Sequence, residues 1–186
     1  MNRDLASARL PLRLHPDCRC DAVTSIEATA IRSPGGRLAL HYMLTGEMDQ
    51  IRMPAQTRPE RRDGLWQHSC FEAFVRGQDP AYCEFNFAPS TQWAAYAFDD
   101  YRDGMHVFDT ESPLIAIART DTGFSLSTLL DLGGLAHLPP NSPWSLGLSA
   151  VIEEMDGRIS YWALAHPEGK ADFHHADCFT HQLPGM

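Results

Sequence analysis

Long apolar runs are missing from this 186-residue chain. The stretches 114–118 and 129–130 are among the longest, far below the ~18 residues a membrane-crossing helix needs, so no membrane span is expected. Positive charge is scarce: 15 Lys and Arg stand against 24 Asp and Glu, a formal net charge of −9. Nucleic-acid affinity depends on many Lys/Arg contacts that release counterions from phosphates. That partner class is therefore not expected, and an anionic membrane surface is disfavoured on the same ground. Internal repeats, low-complexity tracts, Gly-rich phosphate loops and a Gly-x-Ser-x-Gly elbow are also absent. Nothing in the spacing sets a base beside a Ser or Cys, so the chain reads as non-enzymatic. Its five cysteines are an odd number, and Cys18-x-Cys20 is tighter than a zinc-site pair. Five reduced thiols are expected, with Cys70 and Cys83 packed as small apolar groups, which fits a reducing compartment. Arg3, Asp4, Arg9 and Arg13 interrupt any stretch that could form the apolar centre of a secretory signal, so a cytoplasmic location is expected.

What is present is the composition of one globular domain over residues 1–186, with 44% hydrophobic and 21% charged residues. A domain of this length buries roughly 70% of its unfolded surface. Ser33-Pro-Gly-Gly36 separates 23–31 from 37–44, and Asp121-Thr-Gly123 separates 114–119 from 124–130. Met155-Asp-Gly157 does the same between 144–152 and 158–164. Each reads as a β-hairpin. The segments 68–75, 82–88 and 92–98 add three strand candidates, and little helical periodicity appears anywhere. The pattern predicts an all-β, antiparallel sandwich of jelly-roll type with about nine to eleven strands. Two stretches escape it. Residues 53–65 form a polar loop of the length that binding loops and lids have, and 132–143, with Gly133-Gly134 and Pro139-Pro140, wraps one end.

Side chains of a strand alternate between faces. Within 68–75, His68, Cys70, Glu72 and Phe74 share one face; within 82–88, Tyr82, Glu84, Asn86 and Ala88 share one, opposite Cys83, Phe85 and Phe87. If the two strands pair with apolar faces inward, His68, Glu72, Glu84 and Asn86 meet on the outer face. Trp66 precedes the first strand and Trp93 and Tyr96 follow the second, whereas Trp144 and Trp162 sit in apolar strands and read as structural. Flat indole rings beside carboxylates and an amide suit a sugar, whose apolar ring face stacks while its hydroxyls hydrogen-bond. Two neighbouring carboxylates also fit a glycosidase acid/base pair or a calcium site, although no Asp/Asn-rich loop has calcium-ligand spacing. Arg52, Arg58, Arg61 and Arg62 form a basic cluster in the polar loop; folded over the carboxylate face, it could hold an anionic substituent.

The run Asp63-Gly-Leu-Trp-Gln-His-Ser-Cys-Phe-Glu-Ala-Phe-Val75 resembles bacterial DOMON-like domains, relatives of family 9 carbohydrate-binding modules. So do Glu84-Phe-Asn-Phe-Ala-Pro-Ser-Thr-Gln-Trp-Ala-Ala-Tyr96, Ile159-Ser-Tyr-Trp162 and Asp172-Phe-His-His-Ala-Asp177. The resemblance spans most of the chain and implies a β-sandwich. Its superfamily divides between sugar binders and b-type haem domains. It implies that Trp66, Glu72, Glu84 and Asn86 line a ligand site, with Trp93 as a second stacking ring. Ser90-Thr-Gln-Trp93 departs there from the small residue and glycine of the sugar binders.

The expectation is therefore a small-ligand-binding, most simply carbohydrate-binding, β-sandwich using Trp66, His68, Glu72, Glu84, Asn86, Trp93 and Arg62. Two alternatives stand beside it. A b-type haem domain would need axial ligands; Met105 and His106 are adjacent and diverge on a strand, which leaves Met43 or Met53 with His68 or His174. A glycoside hydrolase would use Glu72 and Glu84. His174-His175-Ala-Asp177 invites a metal reading, but adjacent imidazoles diverge, so one His is expected to pack against the sandwich and the other to meet solvent. No metal ligand set is assigned, and cofactors and oligomeric state stay open.

Overall fold

The computed structural model describes residues 8–186. Arg3 and Asp4, part of the N-terminal reading, lie outside the described residues. Twelve strands follow in order: β1 (Leu10–Leu14), β2 (Val23–Ser33), β3 (Arg37–Gly46), β4 (Cys70–Arg76), β5 (Tyr82–Phe87), β6 (Trp93–Phe98), β7 (His106–Val107), β8 (Leu114–Arg119), β9 (Gly123–Asp131), β10 (Trp144–Glu153), β11 (Ile159–Ala163) and β12 (His181–Leu183). All pair antiparallel. The three hairpins form where the Gly-containing turns place them, as β2–β3, β8–β9 and β10–β11. The count exceeds nine to eleven because β7 and β12 are too short to show alternation, and Pro11 masks β1 by removing a ladder donor.

Hydrogen-bonded neighbours run β7-β6-β5-β4-β10-β11-β1-β2-β3-β9-β8, with β12 beside the start of β10. The fold closes through β1: Leu10, Pro11 and Leu12 pair with β2, whereas Arg13 and Leu14 pair with β11. One strand thus belongs to both leaves, and the sheet curls over itself into a sandwich. Between the leaves, Phe71, Val75, Phe85 and Leu148 from one side meet Ile26, Leu40, Leu44 and Leu126 from the other. Each such burial contributes about 1.5–3 kcal/mol. Tyr42, fully buried among them, donates its hydroxyl to the Glu72 carbonyl at 2.7 Å and so joins the leaves beneath the carboxylates. Trp144 and Trp162 lie in this core.

The first leaf is buried on its other face as well, which alternation alone does not reveal. Cys70, Phe74, Tyr82, Tyr96, Phe98 and Val151 form a second apolar cluster there, capped by Phe173 and Phe179 from the segment before β12. Hence β4, β5 and β6 are buried almost along their whole length.

The polar loop 53–65 lies along a sheet margin. Its backbone bonds the β6 start, Trp93 N–H to Glu60 and Arg62 N–H to Trp93, next to a Thr57 N–H bond to Ser90. This covers strand edge that would otherwise be open to pairing. At the far end, Arg32 organises 132–143: its guanidinium donates to the carbonyls of Pro139, Pro140, Ser142 and Pro184 at 2.7–3.1 Å and lies 3.4 Å from the Trp144 ring centroid.

Candidate functional site

Strand register builds the site row by row. Ser149, Glu72, Asn86 and Ala94 stand opposite one another across β10, β4, β5 and β6; the next row is Gly147, Phe74, Glu84 and Tyr96. Because alternate residues share a face, Glu72 and Glu84 become diagonal neighbours between apolar side chains. They face a cavity of about 430 Å³, within the ~300–1,000 Å³ of small-ligand sites.

Both carboxyls are nearly closed off, Glu72 at 3% and Glu84 at 6% exposure. Each is held by one oxygen. Ser149 Oγ donates to Glu72 Oε2 at 3.2 Å, and Asn86 Nδ2 donates to Glu84 Oε1 at 2.7 Å. Asn86, fully buried, is oriented in turn by the Cys70 thiol, 3.7 Å from its Oδ1. Burial pushes Glu72 well above the usual carboxylate range, and the neighbouring Glu84 adds to the rise. Glu84 is raised too, again by burial, with the Asn86 bond and Arg102 working against it.

The segment over the sheet supplies the opposite wall. His174 packs edge-on against Phe74 and Phe98, with ring centroids 5.1 Å away in both cases. The Tyr82 hydroxyl accepts from Arg102 N–H at 3.2 Å and shares a hydrogen bond with His174 Nδ1 at 2.8 Å. His174 Nε2 faces Glu84 Oε2 at 3.7 Å. Burial and Arg102 pull the His174 pKa down to about 4, so the imidazole is neutral near pH 7. Arg102 has a left-handed backbone, φ 52°, rare outside glycine. Its guanidinium forks onto Asp172 Oδ1, with Nη2 at 2.7 Å and Nε at 3.2 Å, and Asp172 also bonds the Tyr101 hydroxyl.

Trp66 forms the mouth. It leaves the short 3₁₀ turn Leu65–Gln67 with 43% of its surface exposed and meets Tyr96 edge-on at 5.9 Å. The Tyr96 hydroxyl donates to Asp63 Oδ1 at 2.7 Å, and Arg61 lies over the Tyr96 ring at 5.4 Å. The other side of Trp66 opens on a second depression of about 760 Å³, which holds Arg52, Arg62, His68, Gln92 and Glu153.

The structure thus brings Trp66, Glu72 and Glu84 together at one cavity, with Asn86 beneath Glu84. It separates the other three predicted site residues. His68 stands apart from the carboxylates: it lies outside β4, which begins at Cys70, and bonds Glu153 Oε2 at 2.7 Å in the second depression. Arg62 lines that depression also, while Arg52 pairs with Glu153 Oε1 at 3.0 Å. Trp93 does not flank the cavity. In β6 it alternates with Ala95 and Ala97 into the inter-sheet core, opposite to Ala94, Tyr96 and Phe98. Tyr96 occupies the rim position instead, and the period-2 rule applied to β6 was the signal for it.

Arg102, Asp172 and the Tyr82–His174 bond carry no periodic signal, since irregular segments supply Arg102, Asp172 and His174. His174 packs and His175 is half-exposed, accepting from Asp177 N–H at 3.3 Å, the divergence expected of adjacent residues. Met43 and Met53 do not line the cavity that holds His174, and His68 faces the other depression. Among the described residues no three His, Cys, Asp or Glu side chains are grouped to hold a metal.

No family model matches the chain, and no curated protein matches it by sequence. Among solved structures it is similar to a candidate carbohydrate-binding protein from Bacteroides uniformis, with TM-score 0.69 and 13% identity over 95% of this chain and 85% of that one. It is also similar to a family 9 carbohydrate-binding module from Caldicellulosiruptor kristjanssonii. The complex of that module with glucose gives TM-score 0.55 and 9% identity over 91% of this chain and 81% of the module. Its cellotriose complex gives 0.53 and 7% over 88% and 75%. At such identities the likeness is one of fold: nearly the whole chain follows the β-sandwich architecture of the family 9 modules.

Proposed function

We propose that this protein binds a carbohydrate in the cavity between Trp66 and His174, without a catalytic step. One observation carries the reading: two buried carboxyls, each with one oxygen held by the protein and the other turned to a cavity, beside a half-exposed indole. Sugar rings present an apolar face to such an indole and hydroxyl donors to such oxygens. Fold likeness to modules solved with glucose and cellotriose supports the same ligand class.

Because Trp66 stands at the mouth, tryptophan fluorescence reports occupancy. Titration with glucose, its β-linked oligomers and a panel of other hexoses and amino hexoses is expected to give a saturable shift. Trp66→Ala is expected to weaken binding by at least tenfold while lowering the unfolding midpoint only modestly, since 43% of the residue is already exposed. Absence of heat and fluorescence change with every sugar, at protein concentrations that detect millimolar affinity, refutes the proposal.

A further inference from the structure

Among the described residues, Glu72 and Glu84 have no cation paired to them at the cavity. Glu72, Glu84 and Asp172 contribute carboxyls, and Arg102 is the cation among the lining residues. Its guanidinium is forked onto Asp172, and burial together with Arg102 holds His174 neutral. Glu72 and Glu84 therefore share their space without a countercharge. Among the described residues, Glu72 Oε1 has no hydrogen-bond partner, and Glu84 Oε2 has only His174 Nε2 at 3.7 Å, beyond hydrogen-bond reach. Buried carboxylates of this kind are costly unless a cation and its donors complete them, so without one burial favours the protonated form of Glu72, and a cation placed against it would let it ionise.

The surrounding walls suit a cation equally well. Trp66, Phe74, Tyr96, Phe98 and Phe173 line the same cavity, and the negative faces of aromatic rings attract ammonium groups, the more strongly where water is excluded. A neutral sugar supplies hydroxyl donors to the two free oxygens but no charge. A protonated amine supplies three donors and the missing positive charge.

We propose that the ligand is an amino sugar with a free amine, its ammonium group placed against Glu72 Oε1 and Glu84 Oε2 within the aromatic ring of Trp66, Phe74, Tyr96 and Phe98. This rests on the carbohydrate reading above and narrows it. N-acetylation removes the charge and adds bulk; replacement of the amine by hydroxyl removes the charge alone.

Calorimetric titration of the intact protein at pH 6.5 with glucosamine, galactosamine, glucose, galactose, N-acetylglucosamine and choline tests it. Each free amino sugar that binds is expected to do so at least tenfold more tightly than its hydroxyl and N-acetyl counterparts. In Glu72→Gln and Glu84→Gln that preference is expected to fall below threefold. The ligand series on the unmodified protein stands even if one variant fails to fold. Equal or tighter binding of glucose or galactose overturns the amino-sugar inference and leaves carbohydrate binding intact. Binding of choline with no sugar of either kind overturns the carbohydrate reading and this inference with it.

Discussion

Glu72 and His174 face one cavity and respond to acid with opposite sign. Glu72 keeps its proton in the native state to higher pH than in the unfolded chain, where the ordinary value is about 4.3. Native protein thus binds more protons than unfolded chain above that value, and this group's contribution to stability declines as pH rises toward its native pKa. His174 is held down to about 4 from 6.5. Between those values the unfolded chain takes up a proton that the native state refuses, so stability is lost on acidification through that window. Glu72→Gln isolates the first effect, because glutamine keeps an acceptor for Ser149 and cannot ionise. It is expected to raise the thermal midpoint at pH 8 by roughly 2–4 °C, about 1 kcal/mol for a domain of this size, with the gain shrinking toward pH 4.5. Melting followed by circular dichroism at the two pH values measures it, and a lower midpoint at pH 8 contradicts the assignment. A site residue whose removal stabilises the fold is the usual exchange between stability and binding.

The residue scale also shows how far periodicity reaches. Glu72, Glu84 and Asn86 were legible as neighbours because strand pairing turns alternation into contact. His68 lies too far along the chain from Glu72 to reach its cavity, and Glu153 holds it in the second depression. Trp93 was misplaced because its chemistry was weighed before its parity in β6.

Among the elements, the β2–β3 hairpin is joined to 132–143 by two devices. Gly36 has φ +81°, and a Cβ there would lie 2.6 Å from the Gly133 backbone, whereas Gly35, with φ +83°, has open space around it. Gly35→Ala meets the left-handed penalty alone, about 1–2 kcal/mol. Gly36→Ala adds a clash with backbone that cannot rotate away, so it is expected to cost at least about 1 kcal/mol more than Gly35→Ala. Urea unfolding of the two variants side by side decides this, and equal costs would remove the close approach as a cause. Arg32 is the second device. Lysine has one point of charge where guanidinium forks to four carbonyls, so Arg32→Lys is expected to lose about 2–3 kcal/mol, the range for charge-assisted hydrogen bonds left unmade. A loss below 0.5 kcal/mol in the same measurement would show that the carbonyls find other donors. Hairpins were readable from turn residues; the contact between a hairpin and a remote loop was not, since neither the close approach nor the carbonyl cluster has a local sequence pattern.

On the scale of the whole molecule, the two leaves finish differently. The edge near β6 is covered by the 53–65 loop, but β8 pairs only with β9 among the described strands. Leu114, 73% exposed, continues an apolar row through Leu129 and Ala39 to Ile31 on the outer face of the second leaf. An open edge with an apolar face is a template for association. Leu114→Glu also deepens the −9 net charge, and it is expected to lower concentration-dependent light scattering while changing stability by no more than about 0.5 kcal/mol. Unchanged scattering would clear this edge as the source of association.

Sequence by itself determined most of the strands, the three hairpins and the common face of the two carboxylates, because these follow from turn chemistry and a repeat of two. Only the tertiary structure decided that the polar face is a cavity. The segment carrying Asp172, Phe173 and His174 lies remote in the chain, folds without regular periodicity, and returns over β4–β6. Its packing turns a surface of polar side chains into a buried pocket whose two carboxyls have no cation paired to them among the described residues.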